Sequence, residues 1–287
     1  MNQKLKIVFV CAFLAVFTIF MATPLQTQAL YESKTSVIAK FKTLCDSHSN
    51  RASYVSLGKS TQGNDIWIFR IGNPKGPAIM WDAQLHGGED MGSEVELLIA
   101  KWLLESKDPT AKSILVKDYV LFIPVVDVDT SARTNTNHVN LNRNFVYGWG
   151  TTGSSSPSST EYRGPYAASE KETQALRNAF KTYQPKFYVN THMWGGPRLF
   201  YSSGDSTALV NTVKAKIAQI SSQRKVTPYS TTKLSGGGFA ISDASYLFKA
   251  CAWLLEIDGP TTPSYTALVA NYYPKCLPIF IALCQLA

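Results

Sequence analysis

Five short runs dense in β-branched, aromatic and aliphatic residues punctuate this chain, and the segments between them carry helical spacing. That alternation is what most restricts the fold. Residues 65–71 (DIWIFRI) and 78–84 (AIMWDAQ) read as strands, the first alternating in polarity. Residues 119–126 (YVLFIPVV), 186–190 (KFYVN) and 250–257 (ACAWLLEI) are apolar runs of the kind buried in a central sheet. Between them, 31–47, 92–106, 169–183 and 206–221 have the spacing of amphipathic helices. Residues 269–285 form an apolar helical stretch interrupted by Pro274 and Pro278, which leaves its start undefined. Strands alternating with helices point to a sheet covered by helices, the α/β class. The serine- and glycine-rich stretch 148–160 (GWGTTGSSSPSST) is too short for a domain linker and reads as a surface loop. No internal repeat is present, and one domain is expected.

The first 29 residues are set apart from that domain. Lys4 and Lys6 precede an apolar run over 7–22, and Thr27-Gln28-Ala29 follows with small residues where a signal peptidase reads. The run is about 16 residues, short of the ~20 that a spanning helix needs, so a cleaved secretory signal over 1–29 is expected, with Ala29 as the cut. The domain then covers 30–287, secreted and without stable membrane association. Two lysines and no acids fall in 1–29, so removal takes the formal charge from +8 to +6. The basic residues are scattered rather than blocked, which gives a solvated basic surface and no nucleic-acid stripe. With Cys11 in the signal, Cys45, Cys251, Cys276 and Cys284 remain, an even number in an oxidising compartment. One or two disulfides are expected, of unassigned connectivity. No C-x-x-C pair occurs, which argues against cysteine-held zinc.

The chain has four histidines: His48, His86, His138 and His192. Two of them leave strand candidates beside glycines. Gln84-Leu85-His86-Gly87-Gly88-Glu89 runs from a strand through a turn towards a helix, and Asn190-Thr191-His192 leaves the KFYVN run with Gly195-Gly196 just beyond. Ligands at strand ends are a common way to build a site in open α/β folds. Two imidazoles and a carboxylate with one position left to water make an open zinc geometry. The H-x-x-E spacing alone is weak, and its weight comes from what accompanies it.

Arg133-Thr134-Asn135 followed by Val139-Asn140-Leu141-Asn142-Arg143-Asn144-Phe145 resembles the R-x-N-x-x-G-V-D-L-N-R-N-F stretch of the zinc carboxypeptidases of the carboxypeptidase A type. Residues 154–173 (SSSPSSTEYRGPYAASEKET), with Y-R-G-P and S-E-x-E, resemble that family's loop and helix start. Ser235-Gly236-Gly237 and Asp243-Ala244-Ser245-Tyr246 resemble the segment ahead of its catalytic strand, and Glu256 lies in Leu-Glu-Ile-Asp where the family has its catalytic glutamate. These matches, in order, span most of the mature chain. The resemblance implies a single α/β domain with a central mixed, twisted β-sheet flanked by helices. It implies one Zn2+ per chain on His86, Glu89 and His192, the ligand type for which this family is a known example. It also implies Glu256 as general base, Arg133 as oxyanion stabiliser, and Asn142 and Arg143 as the hold on a peptide's terminal carboxylate. Peptide or protein C-termini are then the substrate, and a monomer is expected.

The pattern departs in places. The family tyrosine that closes over substrate falls at Thr232 by strict spacing, with Tyr229 three residues earlier as the candidate. His138 stands where the family has glycine and Asn140 where it has aspartate; His138 reads as a loop residue, and His48 has no partner in view. Residues 241–243 are expected to line the side-chain pocket, and Ser242 favours neither basic nor bulky apolar ends. No long pro-segment fits between Ala29 and the domain, so no folded N-terminal inhibitor is expected. The rivals are a zinc deacylase or amidase of the aspartoacylase type, a cell-wall peptide carboxypeptidase, and a catalytically inactive binding module on the same fold.

Overall fold

The computed structural model describes residues 31–258 and 262–287; the expected signal peptide, its cleavage point and Cys11 lie outside the described residues. Helix α1 (Lys34–Asp46) leads into the strands β1 (Ala52–Lys59), β2 (Asp65–Gly72) and β3 (Ala78–Ala83). Then come α2 (Met91–Glu105), α3 (Pro109–Lys117), β4 (Tyr119–Ile123) and α4 (Lys171–Tyr183). The chain continues through β5 (Phe187–His192), β6 (Arg198–Ser202), α5 (Thr207–Gln223), β7 (Ser230–Leu234), β8 (Cys251–Glu256) and a C-terminal helix (Tyr273–Leu286).

Among the described residues the strands form one eight-stranded sheet in the order β1-β2-β4-β3-β5-β8-β6-β7. The central β4-β3-β5-β8 set is parallel, whereas β1/β2, β2/β4 and β8/β6 pair antiparallel. The expected mixed α/β sheet is therefore what the chain forms. Every residue of β3 and β5 is buried, and strand alternation sends neighbours into two cores. Ile79, Trp81, Val189 and Trp253 face one, where the C-terminal helix places Phe280 with its ring 6.1 Å from Trp81 and 6.1 Å from Phe122. Met80, Tyr188, Ala252 and Leu254 face the other, under α4 and Phe239.

The chain leaves β3 for β4 on one side and returns to β5 on the other. The carboxyl ends of β3 and β5 therefore flank the point where the strand order reverses, the usual position of a ligand crevice in open α/β sheets.

Five elements differ from the sequence expectation. Strands β1 and β7 lie at the two sheet edges and carry half-exposed or exposed residues (ASYVSLGK, STTKL), so they show no apolar run. Strand β6 is half-buried, and α3 is a short helix capped by Asp108 with Pro109 in its first turn. The expected strand 119–126 stops at Ile123, where Pro124 brings no amide to the ladder.

The disulfide expectation is corrected: Cys45, Cys251, Cys276 and Cys284 are all free and buried. Cys276 and Cys284 lie eight residues apart on one helix, about 12 Å by helical rise, which is beyond disulfide reach. The other two pack on α1 and β8 as small apolar side chains. Burial pushes the Cys45, Cys251 and Cys276 thiols up to about 12, so they remain protonated and unreactive.

Candidate metal centre and active-site cleft

The turn after β3 is forced by close packing. A Cβ on Gly87 would come within 1.8 Å of the Thr130 carbonyl oxygen, so only glycine lets the His86–Glu89 turn sit against that loop. Helix α2 begins at Met91, directly after the turn, and β5 ends at His192. Glu89 and His192, 103 positions apart in sequence, thus meet across the crevice.

His86 Nδ1 lies 2.7 Å from Glu89 Oε1, and His192 Nδ1 lies 2.7 Å from Glu89 Oε2. All three side chains are buried, and their ligand atoms lie within 4.8 Å of one another. The outer nitrogens are held by neighbouring amides. Asn140 donates Nδ2 to the Thr160 carbonyl, which turns its Oδ1 to His86 Nε2 at 3.0 Å. Asn190 donates Nδ2 to Asp82 Oδ1 and so turns its Oδ1 to His192 Nε2 at 2.6 Å. Each imidazole thus directs Nδ1 to the shared centre and is held from its Nε2 side, where His192 faces both Asn190 Oδ1 and Asn142 Nδ2.

Glu89 completes the donor set. Burial pushes its carboxyl up, but the His192 and His86 imidazoles outweigh burial and hold it at about 2, so it is an anion at neutral pH. Two oriented imidazoles and an ionised carboxylate, converging with an open side, fit a zinc ion.

The open side is a cavity of about 340 Å³ lined by the three donors, Arg133, Asn142, Arg143 and Glu256, with Met193, Trp194 and Gly195 at one wall. Glu256 ends β8, in register with His192 on β5. A Cβ on Gly195 would lie 2.4 Å from Glu256 Cδ; glycine there lets its amide reach Glu256 Oε2 at 3.0 Å. Burial pushes Glu256 above the usual glutamate range, against the pull of His192. The cleft thus holds two carboxyls pushed in opposite directions, one a ligand type and one a base type.

Arg143 contacts Glu161 through Nη2 at 2.8 Å and its own neighbour's carbonyl, Asn142 O, through Nη1 at 2.8 Å, and lies over the Phe239 ring. Arg133 contacts the other Glu161 oxygen through Nε at 2.6 Å. Asn142 reaches the cavity with its amide already engaged: Oδ1 accepts from Ala240 N at 3.0 Å, and Nδ2 lies 3.0 Å from His192 Nε2.

Two expectations are not met. Tyr229 does not line the cavity; it is buried in the opposite core, where its hydroxyl donates to Ile257 O at 3.2 Å. Residues 241–243 do not line it either. Asp243 is fully buried and neutralised by Arg177 at 2.6 Å, and Ser242 donates to Gly236 O. The chain turns inward over 240–247 and offers Phe239 instead. His138 lies in an exposed loop, as expected, and the His48 ring meets the Leu44 carbonyl through Nδ1 at 2.9 Å, away from the donor set. Sequence reasoning missed Asn190, Asp82 and Glu161. A signal for Asn190 existed, since a strand places it on the same face as His192, two residues on.

A family profile described as zinc carboxypeptidase matches residues 37–233, more than half of the 287. The chain belongs to the zinc carboxypeptidase family. Carboxypeptidase SOL1 of Arabidopsis thaliana is 33% identical over 100 residues, 31% of this chain and 20% of that protein. Human mast cell carboxypeptidase A is 25% identical over 237 residues, 72% of this chain and 56% of that protein. The chain thus spans between a fifth and about half the length of these relatives. The carboxypeptidase A structure from Helicoverpa armigera superposes with a TM-score of 0.76 at 20% identity, over 90% of this chain and 74% of that one. That likeness concerns the fold.

Proposed function

We propose that this chain is an exported, zinc-dependent metallocarboxypeptidase that releases C-terminal residues with apolar side chains from peptides. The observation that carries the reading is the convergence of His86, Glu89 and His192, buried and oriented, beside a half-buried Glu256 and a guanidinium pair in one cleft. Zinc held by these three residues would supply a Lewis acid that polarises the scissile carbonyl and acidifies water. Glu256 takes the proton of the attacking water and passes it to the leaving nitrogen. Arg133 faces the charge that develops on the carbonyl oxygen. Arg143 holds the terminal carboxylate, which limits cleavage to the last peptide bond.

The departing side chain meets Phe200, Leu234, Phe239 and Leu254, and among the described residues Glu89 and Glu256 are the acids that line the cavity. An ammonium buried there without a partner is strongly disfavoured. Release of C-terminal phenylalanine from blocked dipeptides should therefore exceed release of lysine by about 100-fold or more in kcat/KM. Comparable rates for the two ends would reject the apolar pocket.

The activity test compares a blocked dipeptide ending in phenylalanine with its C-terminal amide. The free acid should be cleaved and the amide should not, with loss of activity in chelator and recovery on adding zinc. Equal cleavage of both forms would rule out Arg143 as the carboxylate hold. Arg143→Ala should reduce kcat/KM for the free acid by about 30- to 150-fold, the effect of losing a charge-assisted pair at about 2–3 kcal/mol.

A further inference from the structure

The serine-rich loop has a use beyond covering the surface. Its backbone is pinned by Ser154 N to Glu161 O at 2.7 Å and by Asn140 N to Tyr162 O at 2.8 Å. It lies directly on the carboxylate hold, since a Cβ on Gly153 would come within 3.1 Å of both Arg143 Cγ and Cδ. From this seat Glu161 sends one oxygen to Arg133 Nε at 2.6 Å and the other to Arg143 Nη2 at 2.8 Å. The two guanidiniums expected to receive substrate oxygens are thus already bridged by one carboxylate of the protein.

We propose that Glu161 is a self-competing carboxylate: it occupies the Arg133/Arg143 pair in the free enzyme, and a substrate's terminal carboxylate binds by displacing it. The proposal rests on the reading of Arg143 as the carboxylate hold. Nη2 belongs to both bidentate edges of a guanidinium, so an incoming carboxylate must approach the atom that Glu161 holds. Two anions at one such site repel each other. The displaced acid has somewhere to go, because its side chain is 36% exposed and reaches water without disturbing the pinned backbone. Burial pushes Glu161 up, but the Arg133 and Arg143 contacts outweigh it, so the competitor is charged at neutral pH. Glu161 therefore sets how tightly a C-terminus is bound and contributes nothing to the proton transfers.

The experiment uses the zinc-loaded full-length enzyme as wild type, Glu161→Gln and Glu161→Ala. For a free-acid dipeptide, KM should fall about five- to tenfold in both variants with kcat within about twofold, the size expected when two half-exposed ion pairs no longer compete. Inhibition by 3-phenylpropionate, a monocarboxylate with no scissile bond, should tighten by the same factor. An unchanged or raised KM and inhibition constant in both variants would overturn the proposal, a rise meaning that Glu161 instead holds the arginines in place. The wild type separates this from the underlying reading. If it prefers the free acid to the amide, the hold stands and only the role of Glu161 is at issue. If it cleaves both equally, the hold and this proposal fail together.

Discussion

Glu256→Gln should keep the fold and bind metal normally while turnover falls by about 10³-fold, within the range that a positioned general base contributes. The expectation follows from where β8 delivers the side chain. Glu256 is in register with His192, so the base stands beside the ligand set without belonging to it. Glutamine preserves the size and can still accept from Gly195 N, the one hydrogen bond that Glu256 makes in the cleft. What it cannot do is take a proton. The change also removes a negative charge near His192 and Glu89, whose own contacts are independent of it. Metal content by elemental analysis should match the wild type, and binding of 3-phenylpropionate should be retained. A variant with substantial turnover would remove Glu256 from the chemistry. A variant without metal would place it in the coordination sphere instead. An inactive binding module would be indifferent to the substitution in both measurements.

The central sheet was the most legible part of the sequence because burial on both faces demands uninterrupted apolar residues. All five expected runs became strands, at β2, β3, β4, β5 and β8. The strands that escaped notice are those that burial does not constrain. Edge strands β1 and β7 take their order from backbone pairing with β2 and β6, and pairing leaves little trace in side-chain pattern. The same division runs through the site. His86, Glu89 and His192 were readable because each sits at the end of a buried strand or in the turn after one. The carboxylates and amides around them were not, because their roles depend on cross-strand register and loop contact. Asp82 is an example: its oxygens accept from Asn190 at 2.7 Å and from Tyr188 at 2.9 Å, and burial pushes it up to about 7. Its neighbour across the sheet is Asn190, which orients His192, so an aspartate in an apolar run proves to be support for a ligand. Tyr229 illustrates the reverse. Its proximity in sequence to Ser-Gly-Gly suggested a substrate contact, yet β7 begins at Ser230 on the sheet edge and leaves the ring in the core.

Glu89→Ala should reduce zinc affinity by more than about 100-fold, since losing even an outer partner of a ligand costs about 10- to 100-fold, and activity should vanish at ordinary metal concentrations. The larger effect comes from what Glu89 does for the other two donors. Its oxygens lie 2.7 Å from both Nδ1 atoms, and Met193 N donates to Oε2 at 3.2 Å, so one carboxylate organises two imidazoles and the backbone after β5. Alanine leaves that amide buried without a partner, at about 1–3 kcal/mol, and leaves the imidazoles oriented only from their Nε2 sides by Asn140 and Asn190. Thermal unfolding with and without zinc reads both consequences. A ligand bound only by the native state raises stability by RT ln(1 + [L]/Kd), about 2.7 kcal/mol at a hundredfold excess over Kd. The wild type should therefore show a Tm that climbs with added zinc, whereas Glu89→Ala should start lower and show no climb at the same concentrations. Asn190→Ala separates the two consequences, because it keeps every ligand atom while freeing the His192 ring. Its Tm response should persist at higher zinc concentration. If Glu89→Ala retained the full zinc-dependent rise, the metal would be held elsewhere, and the imidazole–carboxylate cluster would be a buried hydrogen-bond network and nothing more.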